Sequence, residues 1–205
     1  MLNQKLKYFN NFGYLEDVIP DSLLQSLQEE SLNAFNNNAE FVSGLTGNGV
    51  ARHFHIRDNR EKLEQVILSL LPSYEKEFNY LNSVSNILDN PPPLKLDKVW
   101  FNYQKRHEFI PVHLHNGVYS FVIWLDIPYN IEEELSTGEH ASCFEFFYTS
   151  ILGNLLVETL PVSREWVGKI LLFPSSLQHV VYPFFTSPGT RISISGNIIF
   201  KNNAV

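Results

Sequence analysis

Cysteine is nearly absent from this sequence. Cys143 is the only one among 205 residues, so no disulfide can form within the chain, and a reducing compartment is expected. Long apolar runs are also missing, since the longest, Val118 to Leu125, falls far short of the roughly 20 residues that a membrane helix needs. The first residues, Met1 to Lys7, are not followed by the apolar core of a signal peptide. Together these absences predict a soluble, cytoplasmic protein without a membrane segment.

Positive charge is in short supply as well. There are 15 Lys and Arg residues against 22 Asp and Glu residues, which gives a formal net charge of -7. General affinity for nucleic acids comes mainly from neutralised phosphates, so no strong general nucleic-acid binding is expected. Hydrophobic residues at 44% and charged ones at 18% are typical of a folded globular protein, and the length fits one domain over residues 1–205.

Helical patterns occupy the first 93 residues. Apolar residues recur at helical spacing from Ser22 to Phe35, after an N-cap at Asp21. A second helix is predicted to begin at Asp58, and a third to cover Ser73 to Leu88. Between the first two, the glycine-rich stretch from Phe41 to Val50 indicates a loop.

The apolar pattern changes to that of strands after the three consecutive prolines at positions 91–93. Seven or eight short strands, punctuated by glycines, are expected between residues 94 and 200. Outside the stretch from Phe109 to Leu125, they are predicted at Leu94 to Gln104, Ser142 to Thr149, Leu155 to Pro161, Lys169 to Phe173, Val180 to Phe184 and Arg191 to Phe200. Such a series is typical of a sandwich or jelly roll. The predicted fold is therefore mainly β (α+β), with the N-terminal helices packed on one outer face.

Three histidines are candidate metal ligands. His113 and His115 are two residues apart in an extended stretch, so their side chains point to the same face. Two imidazoles need a third ligand, and the best candidate is His179, which follows an apolar strand and a Phe-Pro turn. Twelve residues after His179, Arg191 begins an Arg-x-Ser sequence whose alternation places Arg191 and Ser193 on one face of another strand.

This series of residues resembles the iron(II)- and 2-oxoglutarate-dependent oxygenases, whose fold is a cupin-like double-stranded β-helix. The matching segments, within roughly residues 95 to 200, are Val112-His113-Leu114-His115-Asn116-Gly117, Ser120-Phe121-Val122, Leu172-Phe173-Pro174-Ser175 and Arg191-Ile192-Ser193-Ile194-Ser195-Gly196-Asn197. They look most like the small oxygenases encoded by phages of marine bacteria, which would place the protein in the cytoplasm of a host. The resemblance implies iron(II), 2-oxoglutarate and dioxygen as partners. It also implies hydroxylation of an unidentified substrate with release of succinate and carbon dioxide.

The resemblance implies a role for each motif residue as well. The three histidines would bind the iron, and a facial set of three protein ligands leaves positions open for cosubstrate and dioxygen. Arg191 and Ser193 would hold the far carboxylate of 2-oxoglutarate, because a planar guanidinium can donate two parallel hydrogen bonds to it. Tyr103 would donate another hydrogen bond to 2-oxoglutarate, as a tyrosine does in the prolyl hydroxylases.

The middle ligand departs from the family pattern, which has Asp or Glu where this chain has His115. One interpretation is an iron site made of three histidines, as in the thiol dioxygenases of the cupin superfamily, and it is the one that we favour. Another is a carboxylate from elsewhere in the chain, for which Glu145 is the candidate. A second His-x-His pair, His53 and His55, has no third ligand in a recognisable frame, so we expect it in a strand or loop near the mouth of the site.

Two other function classes stay open at this point. The three-histidine site is also compatible with a cupin-type dioxygenase that uses no 2-oxoglutarate. A non-catalytic jelly-roll protein, such as a structural or carbohydrate-binding phage protein, would keep the fold without the chemistry. The sequence identifies neither the substrate nor the oligomeric state. Phe41 to Ile56 and Ile131 to Ala141 are expected at the pocket rim, and Glu132-Glu133-Glu134 is expected to be a solvated loop.

Overall fold

The structure is a computed structural model that describes residues 11–36, 40–41, 51–84 and 91–201. The helices in these ranges are α1 (Asp21–Asn36), α2 (Arg60–Phe78), α3 (Tyr80–Val84) and α4 (Ile131–Leu135), with a short 3-10 turn at Arg164–Trp166. The strands are β1 (Leu15–Val18), β2 (Glu40–Phe41), β3 (Arg52–His55), β4 (Leu94–Lys105), β5 (Ile110–His113), β6 (Tyr119–Asp126), β7 (Phe144–Thr149), β8 (Leu155–Leu160), β9 (Lys169–Pro174), β10 (Gln178–Val181) and β11 (Thr190–Phe200). None of the helices in the described ranges is long and apolar enough to span a membrane.

The strands form two antiparallel sheets that pack face to face. The larger sheet has the order β1-β9-β6-β11-β4-β3-β2, and the smaller has the order β5-β10-β7-β8. Strand alternation divides the side chains of the larger sheet between two apolar layers. In β6, Tyr119 and Ile123 pack on the helical side, whereas Val122 and Trp124 point between the sheets. This two-sheet arrangement confirms the mainly β fold that the sequence predicted.

Helices α1 and α2 cover the outer face of the larger sheet. Leu23 and Leu27 of α1, and Leu63, Ile67 and Leu71 of α2, are buried in the same apolar layer as that face. Complete burial of one such side chain stabilises the fold by roughly 1.5–3 kcal/mol. The prediction that N-terminal helices pack on one outer face is therefore confirmed.

The first helix lies where the sequence predicted it, within one residue at each end. Asp21 lies in the first turn of α1 rather than before it. Helix α2 begins two residues after the predicted Asp58, because its start is held by another helix. The buried carboxylate of Glu30 on α1 accepts hydrogen bonds from the backbone N–H groups of Arg57, Asp58 and Asn59 at 2.6, 2.9 and 3.0 Å.

The boundary predicted between the second and third helices is wrong. Helix α2 continues through Pro72, although a proline removes one hydrogen bond from a helix interior. Leu71 and Tyr74 on either side of it are buried in the core, and this packing holds the helix together. The helix ends at Phe78, and the capping residue Asn79 that follows has a left-handed φ of 47°. Residues 85–88 of the predicted third helix lie outside the described residues.

The six strands predicted between residues 94 and 200 are all present, with ends that differ by a few residues. Strands β1, β2 and β3 add to the larger sheet from the N-terminal half. Of these, the sequence indicated only β3, as a strand or loop. The predicted loop from Phe41 to Val50 starts inside β2, and residues 42–50 lie outside the described residues. The expectation of a solvated loop at Glu132 to Glu134 is wrong. Glu134 is fully buried in α4, where it accepts hydrogen bonds from the backbone N–H groups of Phe185 and Thr186 at 2.7 and 2.8 Å.

Candidate metal centre

The three predicted ligands come together at one end of the smaller sheet. His113 is the last residue of β5, and His179 lies directly opposite it in the neighbouring strand β10. His115 follows β5 after one intervening residue and returns to the same face. The nitrogen atoms that the three rings can offer to a metal all lie within 4.8 Å of one another. Ring centroids are 4.2 Å apart for His113 and His179, 4.8 Å for His113 and His115, and 5.2 Å for His115 and His179.

Backbone carbonyls set the tautomers of two of the rings. The Nδ1 atom of His113 lies 2.7 Å from the carbonyl oxygen of Pro111, and Nδ1 of His179 lies 2.9 Å from that of Leu177. Because a carbonyl can only accept, Nδ1 carries the hydrogen in each ring, and Nε2 keeps the lone pair that a metal needs. This is the usual arrangement of metal-binding imidazoles, whose second nitrogen is held by an outer partner.

Burial keeps all three rings neutral. It lowers the pKa of His113, lowers the pKa of His115 to about 4 with a smaller effect from the His113 charge, and lowers the pKa of His179 well below its ordinary value. A neutral imidazole is the form that binds a metal, so no proton has to be displaced at neutral pH.

The loop that carries His115 is fixed by the other motif residues. The backbone N–H of His115 donates to the carbonyl of Ser175 at 2.9 Å, and the Ser175 hydroxyl lies 2.9 Å from that of Ser120. Ser120 in turn donates to Oδ1 of Asn197 at 2.9 Å. Gly117 fits tightly here, because a Cβ atom would lie 2.9 Å from the Ser175 Oγ atom. These motif residues therefore position His115, one of the three candidate ligands.

Glu145 is not brought to this cluster. It lies on β7 opposite Val180, the neighbour of His179, and so points to the other face of the smaller sheet. Its buried carboxylate accepts hydrogen bonds from Nδ1 of His140 at 2.5 Å and from the hydroxyl of Thr159 at 2.9 Å. Within the described residues, the groups that could hold a metal ion consist of the three histidines alone.

A cavity between the two sheets extends from the histidines. Its apolar walls include Trp124, Phe144 and Phe173, and its polar wall is formed by alternate residues of β11, namely Arg191, Ser193 and Ser195. The structure therefore brings two of the three residues expected around the cosubstrate to the same cavity as the metal ligands. Ser195 lines the same cavity and belongs to the same motif, although the resemblance implied no role for it.

Arg191 is buried, with 2% of its surface exposed, and is fully engaged by neutral groups. Its Nε and Nη2 atoms donate to Oε1 of Gln104 at 3.3 and 2.7 Å. Its Nη1 donates to the Tyr129 hydroxyl at 2.8 Å and to the Ser142 carbonyl at 2.9 Å, and Nη2 also donates to the Tyr182 carbonyl at 2.7 Å. These bonds use all five guanidinium N–H groups. The charge, however, has no carboxylate partner among the described residues.

Tyr103 lies away from the cavity. Its side chain points to the helical side of β4, where the hydroxyl donates to the carbonyl of Ser31 at 2.5 Å and the ring packs against Phe54. On the cavity side of β4 the alternate residues are Asn102 and Gln104. Alternation along β4 already separates Tyr103 from Asn102 and Gln104. The polar residues at 102 and 104 share one face, and the aromatic residues at 101 and 103 share the other.

The second His-x-His pair lies beside the metal centre but outside the cluster. In the ladder between β3 and β4, His53 is opposite Asn102 and His55 is opposite Trp100. The Trp100 ring in turn lies 5.9 Å from the ring of His115. This agrees with the expectation of a strand near the mouth of the site.

The donor set fits a divalent transition metal and an anionic ligand beside it. Three neutral imidazoles suit iron(II), which accepts nitrogen ligands readily, and in His113 and His179 the free nitrogen is Nε2. A buried guanidinium without a carboxylate partner favours an anion in the adjoining space, because buried charges are normally paired. The residues present therefore fit both a metal ion and a carboxylic acid.

Known proteins are similar to this chain in sequence over its strand-rich part and in fold. Residues 98–197 match the model of a family described as "Putative 2OG-Fe(II) oxygenase". No curated protein has a sequence that matches this chain. Among solved structures, a prolyl-4-hydroxylase of Pseudomonas putida has a TM-score of 0.60 at 12% identity, over 93% of this chain and 94% of that one.

Two further solved structures have similar values. A prolyl hydroxylase of Trichoplax adhaerens, in complex with a peptide fragment of hypoxia-inducible factor, has a TM-score of 0.60 at 14% identity, over 92% of this chain and 83% of that one. HygX of Streptomyces hygroscopicus, with nickel, 2-oxoglutarate and hygromycin B bound, has a TM-score of 0.53 at 13% identity, over 93% and 84%. At these identities the likeness establishes the fold, a double-stranded β-helix.

Proposed function

This chain belongs, through residues 98–197, to the 2OG-Fe(II) oxygenase family, and from that premise we propose that it hydroxylates a substrate with release of succinate and carbon dioxide. The observation that carries the proposal is the convergence of three neutral imidazoles on one point, within 4.8 Å, in a cavity that also contains a buried arginine.

His113, His115 and His179 would hold the iron. When bound, iron(II) supplies the redox centre at which dioxygen oxidises 2-oxoglutarate and the substrate. The chain's own residues do the rest. The carbonyls of Pro111 and Leu177 orient two rings through their Nδ1–H groups. The aromatic side chains around His179, which include Phe144 at 5.4 Å and Phe173 at 5.0 Å between ring centroids, exclude water from the reacting groups.

The cosubstrate would bind along β11. The guanidinium of Arg191 adds a buried positive charge at one end of the cavity, and Ser193 presents a hydroxyl on the same wall. Because its N–H groups are already used by Gln104, Tyr129, Ser142 and Tyr182, Arg191 would attract a carboxylate through its charge. Two direct hydrogen bonds to the carboxylate would require Nε and Nη2 of Arg191 to leave the Gln104 oxygen.

Thermal melting under anaerobic conditions tests this proposal. We expect 2-oxoglutarate at about 100 times its Kd to raise the melting temperature of the iron-loaded protein by about 5 to 10 °C. Without metal the same acid should have little effect, because the metal holds its oxo-acid end. If 2-oxoglutarate does not change the melting temperature in the presence of iron(II), the proposal is rejected.

A cupin-type dioxygenase without 2-oxoglutarate is the second candidate. The observation that favours it is the neutral ligand set, in which His115 takes the place of the usual carboxylate. Arg191 favours this candidate too, because its five N–H groups already donate to protein acceptors. Measurement of succinate separates the two candidates: the first forms succinate from 2-oxoglutarate during turnover, and the second never does.

We also propose that the protein is a single domain that works in the cytoplasm. The shared apolar layer between α1, α2 and the larger sheet supports one domain, and the single buried cysteine, Cys143, supports a reducing compartment. An origin in a phage rests on the motif resemblance alone. Isolation of the gene from a phage particle would test it.

A further inference from the structure

The polar wall of the cavity contains a chain of hydrogen bonds that begins at Trp100. Its indole Nε1 donates to Oδ1 of Asn102 at 2.9 Å. Because an indole N–H can only donate, the Asn102 atom that faces it must be the oxygen. The orientation of the amide is therefore fixed by chemistry, and its two N–H hydrogens point toward β11.

Asn102 donates to two hydroxyls of β11. Its Nδ2 atom lies 3.2 Å from the Oγ atom of Ser193 and 2.9 Å from that of Ser195. Each hydroxyl oxygen thus accepts one hydrogen from Asn102 and keeps its own hydrogen for another acceptor. Among the residues that the structure describes, neither serine donates to a protein acceptor. Both serines line the cavity, so their hydroxyl hydrogens are left for a group inside it.

The two serines are spaced for an elongated acid. Residues two apart in a strand share a face and are separated by about 6.6 Å along the chain. Ser195 is opposite Trp100, whose ring lies near His115, so Ser195 is at the metal end of the wall. Ser193 is the neighbour of Arg191 on that face and lies toward the far end.

We propose that Asn102 is a positioning residue for the oxo-acid cosubstrate. By donating to Ser193 and Ser195, it turns both hydroxyl hydrogens into the cavity. Ser193 then donates to the far carboxylate, beside the charge of Arg191, and Ser195 donates to the end of the acid that the metal holds. This inference rests on the proposed function, because it takes 2-oxoglutarate as the ligand.

The substitution Asn102→Asp tests it directly. The side chain keeps its shape and still accepts the Trp100 N–H, but its carboxylate accepts both serine hydrogens and draws them out of the cavity. With the full chain and Ni(II), which imidazole ligands suit as they suit iron(II), we expect the Kd of 2-oxoglutarate measured by calorimetry to rise at least about tenfold, since hydrogen bonds to charged groups are strong. The affinity for Ni(II) itself should not change.

A double-mutant cycle separates positioning from the added charge. The same substitution is made in a Ser193→Ala/Ser195→Ala background, where a residue that acts through the serines loses most of its effect. Asn102→Leu, which adds no charge, is the second variant, and its effect should vanish in that background. Effects of equal size in both backgrounds would overturn the inference.

A shortened acid identifies the end that each serine binds. 2-Oxopentanoate has a methyl group in place of the far carboxylate, so Ser193→Ala should weaken 2-oxoglutarate binding several-fold and leave 2-oxopentanoate binding unchanged. If the unchanged protein with metal does not bind 2-oxoglutarate at all, the proposed function fails. If it binds the acid and the Asn102 variants bind it equally well, only the role of Asn102 fails.

Discussion

His113 and His179 lie directly opposite each other in the ladder between β5 and β10, with their ring centroids 4.2 Å apart. Register in a sheet is fixed by backbone hydrogen bonds, and a slip of one residue would turn one ring to the other face. Two of the three proposed ligands are therefore positioned by strand pairing. Only His115 depends on a loop, and that loop is fixed by Ser175.

Substitution of a ligand should abolish tight metal binding. Loss of an outer partner of a metal ligand lowers affinity by about 10–100-fold, and loss of the ligand itself should exceed that. We expect His179→Ala to weaken iron(II) binding by more than about 100-fold in an anaerobic titration. His107→Ala is the matched control, because His107 is exposed and lies in a turn. Equal iron(II) affinities of the two variants would show that His179 is not a ligand.

Glu145→Gln separates the two interpretations of the ligand set. Because the Glu145 carboxylate is bonded to His140 and Thr159 on the other face, iron(II) affinity should stay the same. The free energy of unfolding should fall by about 1 kcal/mol, because a neutral amide oxygen accepts weaker hydrogen bonds from His140 and Thr159 than the carboxylate does. Glu139→Gln, on a side chain that is 86% exposed, is the control for stability. A loss of metal affinity in Glu145→Gln would favour a carboxylate ligand.

Arg191 should contribute to stability as well as to ligand binding. Its guanidinium joins Gln104, Tyr129, Ser142 and Tyr182, which belong to distant segments of the chain. We expect Arg191→Met to lower the free energy of unfolding by about 3 kcal/mol, measured with a chemical denaturant, because several buried acceptors lose their donors. Arg191→Lys keeps the charge and should retain more affinity for 2-oxoglutarate than Arg191→Met. Unchanged stability of Arg191→Met would contradict the role as a structural cross-link.

The pair of His140 and Glu145 should make stability depend on pH. The hydrogen bond to Glu145 raises the pKa of His140 above its ordinary value. Its contribution is therefore complete below the unfolded pKa of about 6.5 and is lost as the pH rises through the raised folded value. Since His140 is largely exposed, solvent screening limits this contribution to about 1 kcal/mol or less.

Comparison with His140→Gln, which can hydrogen-bond but cannot be charged, measures the effect. The unchanged protein should melt at a higher temperature than the variant at pH 6, and the difference should shrink by pH 9. A difference that grows with pH would show that the charge on His140 does not stabilise the fold.

The convergence of the three candidate ligands was predictable because strand alternation is a local rule. His113 and His115 share a face in any extended chain, and His179 follows an apolar run whose end is marked by a Phe-Pro turn. The same rule applied to β4 separates Asn102 from Tyr103. It does not say which face meets the cavity, because both faces of the larger sheet are covered, one by helices and one by the smaller sheet.

Other features depend on contacts between distant segments. The partners of Arg191 come from β4 and from three loops, so no local pattern reveals that its N–H groups are used. The burial of Glu30 and Glu134 also depends on distant segments, since each accepts hydrogen bonds from backbone N–H groups that are 27 to 52 residues away. Helix α2 passes through Pro72 because tertiary packing outweighs the local preference for a break.

In the proposed site, three imidazoles hold one iron ion. Anomalous scattering at the iron edge, from a crystal grown anaerobically with iron(II) and an inert 2-oxoglutarate analogue, tests it most directly. We expect a single peak about 2 Å from one ring nitrogen of each of His113, His115 and His179, the distance typical of metal–imidazole bonds. A peak coordinated by Glu145, or the absence of any peak between the three rings, would contradict it.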